Sequence, residues 1–248
     1  MATEANFSTY NPRAANPVYH FVSGFRFYFA GLRLLARHPG LLALSAVPIA
    51  LTVVALVGLA AGGAWLAGSL VEGGGELRRL TEIFVFLLAL VLGYLIYMPL
   101  ARVLLAPFSE ALSRRAHAVL RGSLPPRATG GWARAMLEGA KLVTLQLTVL
   151  AAALALGLIL PPVGGPIGVA AAVIFAGLDY LDVPLSVRGL TLGRKLALLW
   201  RHKALALGFG LAGYCLLLIP LVNLLSLPVG VIGATRLVAE LDEPAAEH

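Results

Sequence analysis

Charge is what this sequence lacks most. Only 12 % of its 248 residues are Asp, Glu, Lys or Arg, about half the share of an ordinary soluble domain, while 59 % are hydrophobic and the mean hydropathy is +0.88. That scarcity excludes a water-soluble globule and makes the chain an all-α membrane protein. Cysteine is nearly absent as well: the single Cys215, inside an apolar run, excludes an intrachain disulfide and any cysteine-based metal cluster. The five histidines, His20, His38, His117, His202 and His248, are scattered through basic or terminal stretches. No HExxH, nucleophile elbow, phosphate-binding glycine loop or dinucleotide fingerprint accompanies them, so neither an enzyme nor a bound cofactor is expected. The N-terminus has no basic segment leading into a short apolar core, so a cleaved signal is not expected and insertion relies on the first membrane helix.

What is present falls into long apolar runs and short basic stretches. Residues 1–20, with Pro12 and Pro17, read as a flexible arm, 21–240 as one membrane domain, and 241–248 as a polar tail. From Ser23 to Arg37, the residues Arg26, Arg33 and Arg37 share one helical face opposite an aromatic and leucine face, as in a helix lying in the interface plane. His38, Pro39 and Gly40 break it. Residues 41–68 and 83–105 are each long enough to cross the roughly 30 Å hydrocarbon core, with Pro48 a kink site in the first. The stretch 106–122 is a separate amphipathic segment with Gly122 at its C-cap.

The remainder predicts two helical hairpins. An apolar stretch from 142 to 160 meets the tip PPVGGP at 161–166, and about a dozen apolar residues follow before Asp179 and Asp182. After the basic segment 188–203, residues 204–219 lead to a second tip from Pro220 to Pro228. A second limb of about 13 residues covers only about 20 Å, which favours re-entrant hairpins that turn inside the membrane over six full spans.

Lys and Arg number four before the first long run, two in the 69–82 loop, seven from Arg102 to Lys141 and five from Arg188 to Lys203. The positive-inside rule then predicts both termini and the two basic stretches on the cytoplasmic side of the membrane. The net charge of +7 is accordingly assigned to lipid headgroups rather than to nucleic acid.

Polar features next to the membrane carry the functional reading. Arg37, His38, Gly40 and Leu41 open the first long helix, where free backbone N–H groups, the positive dipole end and a guanidinium suit a small oxyanion. The plainer alternative is a Pro-Gly helix start with an arginine at a lipid phosphate. The hairpin tips, Pro161, Gly164 and Gly165 in one and Asn223 and Pro228 in the other, would aim helix N-termini near Ile167 and Pro228 into the membrane, or simply form tight turns. Asp179 and Asp182 are candidates for a proton relay or for salt bridges to Arg188 or Arg194. The helix over 188–203 reads as interfacial.

Five stretches, SGFRFYFAG, HPGLLALSAVP, LLAPFSEALSRRAHAVLRG, YLDVP and IPLVNLLSLPVGVIGAT, in this order across residues 23–236, resemble the CysZ family of sulfate permeases, within the broader group named for an etoposide-induced protein. The resemblance implies two long transmembrane helices, two membrane-embedded hairpins that do not fully cross, a homo-oligomer, sulfate uptake feeding cysteine synthesis, and a sulfate-binding loop after Pro39-Gly40. Here the chain departs from the family pattern. Leu42 and Ala43 stand where an arginine pair is typical, and Arg114 and His117 replace acidic residues. Losing two guanidinium groups removes strong oxyanion hydrogen bonds, which leaves Arg37 or Arg33 to compensate, or another solute as cargo. A non-transporting scaffold that binds anionic lipid or a protein partner is the alternative function.

Overall fold

The computed structural model describes residues 10–12, 14–70, 76–125 and 131–241, and places eight helices among them. They are α1 (Pro17–Arg37), α2 (Pro39–Leu70), α3 (Glu76–Arg121), α4 (Gly131–Ile159), α5 (Pro161–Val187), α6 (Leu192–Arg201), α7 (Lys203–Leu217) and α8 (Pro220–Leu241). The segment 242–248, read as a polar tail, lies outside the described residues, as do residues 1–9. The chain divides into two compact units, one of residues 43–108 and one of residues 1–42 with 109–248.

The first unit is an antiparallel pair made from the long parts of α2 and α3. Gly63 lies where an added methyl would meet the Phe86 ring at 3.5 Å, and Gly93 abuts Leu59, so small residues let the two helices close up. Pro48 sits inside α2, and the Thr52 hydroxyl donates to the Pro48 carbonyl at 2.8 Å. Contrary to the expected break after residue 105, α3 runs unbroken through Pro107 to Arg121. One proline removes a single helical hydrogen bond, less than the cost of opening several backbone groups away from water. Its far end is as expected: Gly122 adopts a φ of 69° just past the last helical residue.

In the second unit α1 is the centre rather than a lone surface helix. Arg26, Arg33 and Arg37 are exposed as predicted, but Phe27, Tyr28, Leu34 and Leu35 opposite them are buried against α7 and α8. Glycine sets these crossings. A Cβ on Gly24 would overlap the Leu205 carbonyl, one on Gly208 the Phe21 carbonyl, and one on Gly31 the Val229 carbonyl. Tyr28, Tyr180 and Phe209 then pack edge to face at centroid distances of 5.2–6.4 Å, in space that Gly213 and Gly230 leave open. The Tyr28 hydroxyl donates to the Ser226 carbonyl at 3.0 Å, and a buried Ser113–Thr235 hydroxyl pair at 2.9 Å joins the end of α3 to α8. Helix α1 also begins at Pro17, within the stretch read as an arm, with the Asn16 side chain accepting the Val18 N–H at 2.9 Å.

The hairpins differ from expectation in where they turn and how long they run. The first turn is confined to Leu160, and Pro161–Pro166 form the opening turns of α5: Pro161 and Pro162 fit a helix start whose N–H groups have no intrahelical partner anyway, while Pro166 lies inside the helix. Nor does α5 stop at the aspartates. It continues for 27 residues, and both Leu137–Ile159 and Gly164–Val187 are long and apolar enough to cross a membrane, as is Pro39–Ser69. The short second limb expected of this hairpin is therefore not found. In the second hairpin the turn lies at Leu218–Ile219, Pro228 is inside α8, and α7 has only 15 residues, about 22 Å.

Candidate functional site

At the joint between α1 and α2, His38 is extended and its N–H donates to Leu35 O, which ends α1 in the last turn that carries Arg37. Proline at 39 restarts the chain at once as α2, so two helix ends are separated by a single residue. Pro39 has no N–H, and the Leu41 and Leu42 N–H groups both donate to His38 O, at 2.9 and 3.2 Å. Leu41 is also 1 % exposed. Of the two amides expected to meet an anion, Leu41's is thus committed within the turn, and Gly40's remains.

Beside that glycine the structure places a residue the sequence reading did not select. A methyl on Gly40 would stand 3.9 Å from the Arg115 Nη2, so a guanidinium from the end of α3 lies against the opening of α2. Arg37, Gly40 and Arg115 are all exposed, and His38 is half-buried. Its neighbour Arg114 is turned elsewhere, donating to Glu110 at 3.1 Å and to the Pro125 carbonyl at 3.5 Å, and His117 meets the Ser123 carbonyl at 3.0 Å. Two arginines, one amide and a positive helix end on an open surface can bind an oxyanion by charge-assisted hydrogen bonds, while leaving it hydrated on one side.

The hairpin tips offer less. Pro161 and Pro162 have no N–H, and Gly164 donates to Leu160 O at 3.2 Å, so the opening of α5 is poor in free donors. Gly164 has a packing role instead: a Cβ there would overlap Gly157 Cα, and it lets α4 and α5 touch at their turn. Gly165 has open space beside it. In α8, Asn223 falls in the first turns and its side chain lies outside the described part, while Pro228 is eight residues past the helix start rather than at it.

Both aspartates are engaged. Gln146 donates to Asp179 at 2.6 Å across α4 and α5. Asp182 accepts from Lys195 Nζ at 2.6 Å and from Ser186 at 3.2 Å, and Lys195 donates also to Ser186 at 2.6 Å. The partner of Asp182 is therefore Lys195, next to the expected Arg194. One helical step decides it: Lys195, 1 % exposed, is on the inner face of α6, whereas Arg194 is on the outer face. Glu138 of α4 completes the cluster by accepting the Leu192 N–H at 2.7 Å, which caps α6, and a 2.7 Å bond from Lys141. Among the described residues no group of His, Cys, Asp and Glu is arranged to hold a metal ion.

Comparison with known proteins places the chain in a family. Residues 27–228 match the family model described as Sulfate transporter CysZ/Etoposide-induced protein 2.4. The chain is 29 % identical to the Sulfate transporter CysZ of Pseudomonas paraeruginosa, over 86 % of this chain and 93 % of that one. It is 31 % identical to the Sulfate transporter CysZ of Pseudomonas fluorescens, over 86 % and 92 %. A match over most of the chain means that this protein belongs to the Sulfate transporter CysZ/Etoposide-induced protein 2.4 family, a family of transporters and not of enzymes.

Proposed function

We propose that the chain is an inner-membrane permease for sulfate or a similar small inorganic anion, working as a homo-oligomer with both termini in the cytoplasm. The observation that carries the binding step is the Arg115 guanidinium beside Gly40. It supplies, from a different helix, a positive group beside a joint where this chain has Leu42 and Ala43 in place of the arginine pair that the family resemblance leads one to expect. The proposed site is Arg37, His38, Gly40 and Arg115, with Leu41 holding the turn. Sulfate is favoured by the names of the relatives and by the chemistry, since a tetrahedral dianion accepts from several donors at once. In the membrane, α2 and α3 cross, and the α7–α8 hairpin enters from the cytoplasmic side and turns within the bilayer, a topology supported by the 15-residue length of α7.

Purified protein in liposomes is expected to pass radiolabelled sulfate. Removing one charged donor costs about 1.5–3 kcal/mol of binding, so Arg115→Ala should weaken the sulfate dependence of flux by about tenfold or more. Arg37→Ala should weaken it less, and Arg114→Ala, whose guanidinium is tied to Glu110, should leave it near wild type. Equal loss in Arg114→Ala and Arg115→Ala would point to general surface charge and sink the site.

A further inference from the structure

Helix α6 has two faces of different character. Its only buried residue is Lys195, clasped to Asp182 and Ser186, and its first N–H is capped by Glu138. Outward it presents Arg194, Leu196, Trp200 and Arg201, all exposed, with Trp200 at 77 %, and Lys203 follows with its Nζ 5.6 Å from the centre of the Trp200 ring. Spaced at 100° per residue, Leu196 and Trp200 lie side by side, and Arg194 and Arg201 lie together about 100° further round the same outward half. His202 adds little charge here, because burial, Arg201 and His20 all lower its pKa.

Among the described residues these outward cations form no ion pair. From Val183 to Ala239 the sequence contains no Asp or Glu, and the two carboxylates that other helices bring to α6, Glu138 and Asp182, are used on its inner side. A largely exposed indole beside three cations with no carboxylate partner among the described residues fits the boundary between headgroups and acyl chains, where the ring is half-immersed and phosphates are at hand. We propose that this outward face, Arg194, Trp200, Arg201 and Lys203, is a docking site for the phosphate of anionic phospholipid headgroups, with the Lys195–Asp182 clasp fixing which side of α6 faces the lipid. It is independent of which solute the protein carries.

The full-length protein with Trp65→Phe and Trp132→Phe keeps Trp200 as its one fluorophore. It is reconstituted into phosphatidylcholine vesicles containing either brominated phosphatidylcholine or brominated phosphatidylglycerol at the same mole fraction. Each basic residue at a membrane surface enriches anionic lipid by about fivefold, so phosphatidylglycerol should quench Trp200 at least about twofold more strongly. Arg201→Gln with Lys203→Gln should abolish the difference while phosphatidylcholine quenching remains, and Arg201→Lys should restore part of it. Equal quenching by the two lipids in the otherwise wild-type protein overturns the proposal. So does access of aqueous iodide with no lipid quenching, which would lift α6 off the membrane. Loss of the phosphatidylglycerol excess on adding millimolar inorganic phosphate at constant ionic strength overturns it too, by making the site one for a free oxyanion.

Discussion

Gly31→Leu is expected to eliminate folded protein from detergent extracts. A Cβ at this position would overlap the Val229 carbonyl oxygen of α8 and stand 2.7 Å from the Gly233 N, so the obstacle is backbone, which cannot swing aside as a side chain can. To admit even a methyl, α1 and α8 must separate, and the aromatic group of Tyr28, Tyr180 and Phe209 behind them would lose its packing. Overpacking of this kind costs about 3 kcal/mol or more, a large part of the stability of a single domain. Gel filtration of a fluorescent fusion after heating is the readout: the monodisperse peak should vanish or melt far earlier than in the wild type. Gly62→Leu, which has open space beside it in α2, serves as the control and should be nearly silent. If both variants behaved like the wild type, α1 would not be packed as described.

Asp182→Asn should be the most damaging single change to the charged residues. Its loss would leave the Lys195 ammonium, with 2 % of its side chain exposed, facing a neutral amide and one hydroxyl. Breaking a buried pair by removing one partner costs about 3 kcal/mol, because the remaining charge keeps its desolvation penalty. Lys195→Met in the same protein removes that charge, so the double variant should recover most of the lost stability although it has fewer polar bonds. A double-mutant cycle followed by thermal unfolding measures the coupling directly. Additive losses would mean that water reaches Lys195. The same cycle bears on dynamics: α6 buries no apolar residue fully, Leu192, Leu198 and Leu199 being half-buried, so these polar bonds carry much of its attachment to α4 and α5.

Much of this architecture was legible in the order of residues. Runs of apolar residues gave α2, the lipid-length part of α3, and α4, since backbone in a bilayer must satisfy its own hydrogen bonds. Gly122 announced a helix end because few residues tolerate a positive φ. The α1 arginines announced an exposed face, but not what covers the opposite one. Phe27, Tyr28 and Leu35 would look the same against lipid as against α7 and α8, and only the glycines at 24 and 31, seven apart, hinted at close helix contact. Pro161 and Pro162 misled for a local reason: proline interrupts a helix interior but suits its first turn, and Gly157 and Gly164 let the two helices touch beside that turn.

The candidate site was legible in one half only. The Arg37–Leu41 joint stood out by its sequence, and its position between two helices is as expected, though the Leu41 amide is used internally. Arg115 could not be singled out, because nothing in a run of two adjacent arginines says which one faces a loop far back along the chain. The structure separates them by one helical step, Arg114 to Glu110 and Arg115 to Gly40. For Lys195 and Arg194 the same step decides which is buried.

Whether this protein passes anions at all is the claim on which the rest of the functional reading depends. Current through planar bilayers containing the wild-type protein, with sulfate at different concentrations on the two sides, tests it most directly. The permease reading predicts a conductance whose reversal potential lies on the side set by the sulfate gradient. A bilayer with protein incorporated and no current under any anion gradient would contradict it and leave a membrane scaffold that binds lipid or a protein partner.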